Sequence, residues 1–305
     1  MSTFFEIAYN IIAPIFLVVG AAVLLDRWLH IDPRPLSQIV IYLFTPFLVL
    51  DGIAKSSLTG AETGQIIGVA LGISALMALA GWTVARAAGL DRRLIAVFVL
   101  SVTLINAGNY GVPLNHFAFG AEGEARAMIF FVVTVAFSNT FGVFLASSGT
   151  VSTRRALRNM LSVPLPYAVI VGFALNGLDL TLPTPVARAT TVLAQASVPA
   201  MLTVLGFQLS RASLRVRDLR PVLLAVGMRL ALAPVIALPL VALLDMSGVG
   251  RQVALVQSAM PTAVVGGVLA TEFGGPEDAE FITSVILIST LLSTVSLSVL
   301  LSLVM

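Results

Sequence analysis

Apolar residues in this chain do not alternate, and they do not fall on one helical stripe. They run on in blocks about as long as a bilayer is thick, with the polar residues gathered between them. A membrane-spanning helix needs about 20 largely apolar residues. Ten runs approach that length, at 5–25, 36–53, 63–85, 94–119, 125–147, 160–178, 189–210, 221–244, 252–271 and 279–304. The sixth is the least regular, because it carries Pro164, Pro166 and Asn176. The pattern predicts an all-α integral membrane protein with ten transmembrane helices. The first run has no Lys or Arg before Phe4 and so lacks the basic leader of a signal peptide; it is expected to be retained as a span.

Two runs are interrupted near mid-membrane depth. One reads Asn106-Ala-Gly108-Asn109-Tyr-Gly111-Val-Pro113, the other Gln257-Ser258-Ala-Met-Pro261-Thr262, continuing to Gly266 and Gly267. In lipid every backbone N–H and C=O needs a partner, so such breaks persist only where protein or a solvated cavity receives them. A pair of them at matching places in two halves is the strongest sequence pointer to a transporter binding site. The halves also match elsewhere. Phe119-Gly120-Ala121-Glu122 follows the first break and Phe273-Gly274-Gly275-Pro276-Glu277 the second, while Pro46 corresponds to Pro199 and Arg93 to Arg251. Five spans per copy is an odd number, so the second copy enters the membrane from the opposite face. The expected organisation is an inverted repeat: residues 1–148, a linker at 149–159, and residues 160–305, with broken helices four and nine crossing.

Charge sets the orientation. Only 10% of the 305 residues are charged and 58% are hydrophobic, against roughly 25% charge in soluble domains. One set of alternate loops holds Arg27, Arg34, Arg86, Arg92, Arg93, Arg154, Arg155, Arg158, Arg211, Arg215, Arg217 and Arg220. The opposite set holds Lys55, Arg126, Arg188 and Arg251, and Arg229 alone lies within a span. Basic loops stay cytoplasmic, which puts both termini outside. A net charge of +2 gives no reason to expect a nucleic-acid partner, and the absence of cysteine excludes disulfides and thiolate chemistry. No cofactor is expected; the expected partners are the lipid bilayer and a small solute.

The breaks and their flanks resemble the auxin efflux carrier family, within the wider group that includes bile-acid:sodium symporters. The resemblance rests on Asn106-x-Gly108-x-x-Gly111-x-Pro113-Leu114, on Ala259-Met260-Pro261-Thr262-Ala263, on Ile288-Ser289-Thr290 and on Arg229 followed by Pro234. It implies a scaffold of spans one, two, six and seven, and a mobile transport domain of spans three to five and eight to ten that moves like an elevator. It implies an organic anion as substrate, such as malonate or malate in bacterial members and indole-3-acetate in plant ones. A homodimer through spans two and seven is implied in the same way. The short central loop resembles bacterial members, which implies the bacterial inner membrane.

Individual residues carry the chemistry. Asn106 lies 13 residues past Arg93, ~20 Å at 1.5 Å per residue, and Pro261 ten past Arg251, ~15 Å from the other face, so both breaks reach a common depth. Half-helix N-termini there suit a carboxylate. Asn106, Gly108, Asn109, Pro113, Pro261, Thr262 and Asn139 are the candidate binding residues; the competing reading is that the amides and the hydroxyl only satisfy broken backbone or brace helices. Asp51, Arg229, Gln257 and Ser258 are candidates for coupling or gating. Asp51 is equally readable as an interfacial cap beside Lys55, and Arg229 as snorkelling or bonding backbone carbonyls. His116 reads more readily as a packed side chain than as a proton carrier, and Glu272, Glu277, Asp278 and Glu280 as a solvated loop or a partner of the basic loops. Sodium-coupled relatives place a glutamate where Val256-Gln257-Ser258 stands, so the order of expectation is proton coupling, then sodium, then uniport.

Other classes lack their parts. There is no H-E-x-x-H, no G-x-S-x-G and no paired mid-span carboxylate for an intramembrane enzyme. A receptor would need a signalling domain for which the chain has no length, and an open pore would not require two buried breaks.

Overall fold

The computed structural model describes residues 2–146, 162–212, 214 and 218–305. The linker 149–159, Arg154, Arg155, Arg158, Arg215, Arg217 and the start of the sixth run lie outside the described residues. Those described are helical throughout, apart from turns and one isolated bridge. Seven helices are long and apolar enough to cross a membrane: α1 (Phe4–Leu29), α2 (Pro33–Ala54), α3 (Gly60–Ala87), α5 (Ala107–Ala146), α7 (Thr184–Arg211), α8 (Arg220–Leu243) and α11 (Pro276–Val304). Four shorter helices complete the set among the described residues: α4 (Arg92–Thr103), α6 (Leu165–Gly177), α9 (Gly248–Ser258) and α10 (Val264–Phe273).

Local sequence explains the starts. The side chains of Asp32, Thr59 and Asp91 accept the backbone N–H of Arg34, Glu62 and Leu94, which caps α2, α3 and α4. Proline acts inside the spans. Wide π turns at Ala8–Ile12, Val40–Phe44, Ala107–Gly111 and Met228–Leu232 each end two residues before Pro14, Pro46, Pro113 or Pro234. Proline has no N–H and its ring crowds the carbonyl four residues back; the π turn takes up that misfit without ending the helix. A further π turn at Ser138–Gly142 has no such proline.

The loop expected between the fourth and fifth runs is absent. α5 reverses at a single residue, Gly120, whose φ of 64° and ψ of −155° favour glycine, and helix resumes at once. Its two arms, residues 107–119 and 121–146, lie antiparallel and close. A Cβ on Gly108 would meet the Phe131 ring at 2.5 Å, and one on Gly123 would lie 2.7 Å from the Asn115 carbonyl. Glu122 and Glu124 are therefore helical.

Packing falls mainly into two groups. α1 packs on α7, α2 on α6 and α7; α3 packs on α4, α5 and α8, α5 on α9, and α10 on α11. α1 and α7 approach backbone to backbone, since a Cβ on Gly206 would sit 2.5 Å from Ala22 Cβ and 2.6 Å from Val19 O. Where lipid supplies no hydrophobic drive between helices, small residues give the contact its dispersion energy. Gly206→Ala is expected to destabilise by ~1–3 kcal/mol through overpacking, read as a lower thermal midpoint in detergent. Gly20→Ala, which meets nothing within 4 Å, should leave the midpoint unchanged.

Candidate functional site

α4 ends at Thr103 and α5 begins at Ala107; α9 ends at Ser258 and α10 begins at Val264. Only the short linkers between them are non-helical, and those linkers pair with each other. Ile105 and Thr262 form an antiparallel bridge, Asn106 N–H donates to Pro261 O at 2.8 Å, and Ala263 N–H donates to Leu104 O at 2.8 Å. Four helix ends therefore meet: two C-termini presenting carbonyls and two N-termini presenting N–H groups.

Arg229 joins the C-termini. It sits in the π turn of α8, fully buried, and donates from Nη1 to Val102 O at 2.7 Å and from Nη2 to Ser258 O. One guanidinium thus holds the last turns of both α4 and α9, where helix dipoles favour positive charge. Its planar fork can reach two acceptors at once, which a lysine ammonium does less well. Among the described residues no carboxylate pairs with it, and its Nε has no hydrogen-bond partner.

Further bonds brace the meeting point. Thr262 Oγ1 donates to Ser101 O at 2.7 Å and its N–H to Ser289 Oγ at 3.3 Å. Gln257 Nε2 reaches Ala107 O at 3.3 Å and Ala127 O at 3.4 Å, tying α9 to both arms of α5. Other polar atoms stay open. Asn106 is 7% exposed, and its Nδ2 is buried with no partner; the hydroxyls of Thr103 and Thr290, Gln257 Oε1 and Asn115 Oδ1 are likewise unpartnered. Buried polar atoms are satisfied in the great majority of cases, so a cluster of open ones beside a break marks a place that can receive a ligand.

Comparison with known proteins decides the family. The profile of the membrane transport protein family, to which the auxin efflux carriers belong, matches residues 7–301. The chain belongs to that family. An uncharacterized transporter of Methanothermobacter thermautotrophicus is 28% identical over 268 residues, covering 87% of each chain. Another, of Methanocaldococcus jannaschii, is 28% identical over 211 residues, covering 67% of this chain and 66% of its own. With its seven long apolar helices, this chain is a multi-pass membrane transport protein.

The transporter's predicted residues fall unevenly around the breaks. Asn106 and Pro261 lie in the paired linkers, as does Thr262, whose hydroxyl hydrogen is taken by Ser101 O. Gly108, Asn109 and Gly111 are not unwound: they form the first π turn of α5, with Pro113 two residues on. Their glycines serve close approach, Gly108 to Phe131 and Gly111 to Gln257, whose Oε1 would lie 2.3 Å from an added Cβ. Gln257 and Ser258 end α9 as helix, and Gly266 and Gly267 belong to α10. Both breaks are thus shorter than the sequence suggests. Asn139 lies half-buried in the π turn of the second arm of α5, one turn before Gly142, which faces Leu104 and Leu269.

Three titratable residues have definite surroundings in the structure. Asp51 accepts from Lys55 Nζ at 2.6 Å and from Thr191 Oγ1 at 3.1 Å, so it pairs within the end of α2 and ties that helix to α7. Arg229 does not snorkel; it is buried on backbone carbonyls. His116 Nδ1 lies 3.1 Å from Glu124 Oε2 across the α5 reversal. The acidic run is not simply solvated. Asp278 is buried, accepts the Gly275 N–H at 2.9 Å and pairs with Arg93 Nε at 2.8 Å.

Sequence reading missed the buried Arg126, which grips Glu62 with Nε at 2.6 Å and Nη2 at 3.0 Å and also reaches Glu122. It also missed Asp26 with Arg211 at 3.2 Å. Partners 64 and 185 residues apart leave no local signal.

Proposed function

We propose that this protein is a secondary transporter for a small organic anion, a carboxylate such as malonate, malate or an auxin-like acid, moved by an elevator-type alternating-access mechanism. The observation that carries the reading is the set of groups at the meeting of the two linkers: a buried arginine without an acidic partner, an Asn106 amide donor without an acceptor, and two half-helix N-termini at one depth. All three favour negative charge, because a carboxylate accepts several N–H bonds and charge-assisted bonds are roughly twice as strong as neutral ones. Paired breaks at mid-depth are the arrangement in which transporters bind substrate.

The same reading takes α4 with the first arm of α5 as span four, the second arm as span five, and α9 with α10 as span nine. That gives ten spans in two inverted five-helix repeats. α1, α2, α6 and α7 would form the scaffold and the remaining helices the moving body; the two packing groups support that division. The location that follows is the bacterial inner membrane with both termini outside, supported by the arginine bias of the loops. A homodimer through α2 and α7 would hold the scaffold still; detection of only the monomer mass by mass photometry, with no cross-links in native membranes, would remove it.

The test is uptake into proteoliposomes screened over mono- and dicarboxylates, with imposed proton and sodium gradients. Saturable uptake of at least one carboxylate is expected. Uptake confined to neutral or cationic solutes would overturn the substrate class, and the gradient arms identify the coupling ion.

A further inference from the structure

A cavity lies away from the paired linkers. It occupies about 1230 Å³ between α3, α4, the second arm of α5 and α10, and neither Asn106, Pro261, Thr262 nor Arg229 lines it. That exceeds the ~300–1,000 Å³ of sites for drug-sized ligands. Its walls are mainly aliphatic, with Trp82, Phe141 and Phe144 among them, while Arg92, Arg93 and Asp278 also line it. Trp82 is 46% exposed and Phe144 54%, so the cleft opens on the outer, lipid-facing surface of the bundle.

We infer that this cleft binds an anionic phospholipid of the surrounding bilayer, its acyl chain against the apolar wall and its phosphate at Arg92. Arg93 is already neutralised by Asp278 at 2.8 Å. Arg92 is exposed and has no ion pair among the described residues, and the guanidinium of Arg86 stands 4.9 Å above the Trp82 ring beside it. The cleft therefore joins an apolar chamber at lipid depth to an uncompensated cation at its end. A basic pocket between transmembrane helices is the form of site that holds an anionic headgroup, and each arginine near the surface contributes about a fivefold preference for it. Residues 147–161, which follow Ala146 in sequence, carry Arg154, Arg155 and Arg158 and no acid, so they offer Arg92 no carboxylate. A small aliphatic dicarboxylate would gain nothing from the apolar wall.

Native mass spectrometry of the purified transporter, titrated with phosphatidylglycerol or phosphatidylcholine, tests this directly. The wild type is expected to retain phosphatidylglycerol at least about tenfold more strongly. Arg86→Gln with Arg92→Gln should lower that retention by about fivefold per arginine and leave phosphatidylcholine unchanged, and Arg92→Lys should keep most of the preference. Ala96→Phe, which fills the cleft from α4, should weaken both lipids. Equal retention of the two lipids by the wild type overturns the inference, as does a phosphatidylglycerol preference that survives the double substitution. Two further results would also overturn it: displacement of the lipid by a soluble dicarboxylate, and a photo-cross-linker at Phe141 that captures residues 147–161 in place of lipid. None of these results depends on which solute the protein carries.

Discussion

Arg229→Gln is expected to reduce transport at least a hundredfold and to lower thermal stability. In the native protein one guanidinium serves the carbonyls of Val102 and Ser258. Hydrogen bonds to a charged group contribute ~1.5–3 kcal/mol each, and a carbonyl left buried and unpaired costs ~1–3 kcal/mol. Glutamine can offer its amide to one of the two acceptors and brings no charge to the place where an anion would bind. Arg229→Lys separates these effects. It keeps the charge but not the fork, so it should regain part of the substrate affinity and little of the stability. Uptake and thermal midpoints for both variants are the readouts. Wild-type uptake by Arg229→Gln would show that the arginine neither organises the breaks nor attracts the solute.

Asn106→Ala should weaken substrate binding by roughly tenfold to a hundredfold, the equivalent of one bond to a charged group at ~1.5–3 kcal/mol, and should leave the fold intact. The second half follows from the bonding pattern. The break is held through the Asn106 backbone, N–H to Pro261 O and carbonyl to Gly111 N–H, and alanine keeps both. The substitution removes the side-chain amide, whose Nδ2 has no partner among the described residues. His116→Ala should matter much less, because its ring is turned to Glu124 at the α5 reversal. Parental affinity in Asn106→Ala together with abolished transport in His116→Ala would move the site away from the linkers.

The membrane class and the two breaks are legible because they depend on local signals: apolar run length, and Gly and Pro clusters at mid-run. The extent of each break is not, because glycine has two uses that look alike in sequence. Gly108 and Gly111 read as unwinding but serve approach to Phe131 and Gln257, which only the packed neighbour reveals. Gly120 reads as part of a loop, yet one left-handed residue is enough to reverse α5. The Asp51–Lys55 pair was readable because the two residues stand one helical turn apart. Arg229 was visible as a lone charge in a span, but its acceptors are backbone carbonyls 127 and 29 residues away, and carbonyls carry no sequence signature. Thr262 illustrates the remaining gap, since a hydroxyl at a break can face a ligand or a carbonyl, and here its hydrogen goes to Ser101 O.

Counterflow tests the central claim most directly. Proteoliposomes loaded with the unlabelled carboxylate identified by the uptake screen would be diluted into a trace of the labelled one. A carrier that alternates between two faces should accumulate label transiently above its equilibrium level, and the overshoot should shrink in Asn106→Ala. Monotonic equilibration without an overshoot, at a rate indifferent to internal substrate and to Asn106, would contradict a carrier with its site at the paired linkers.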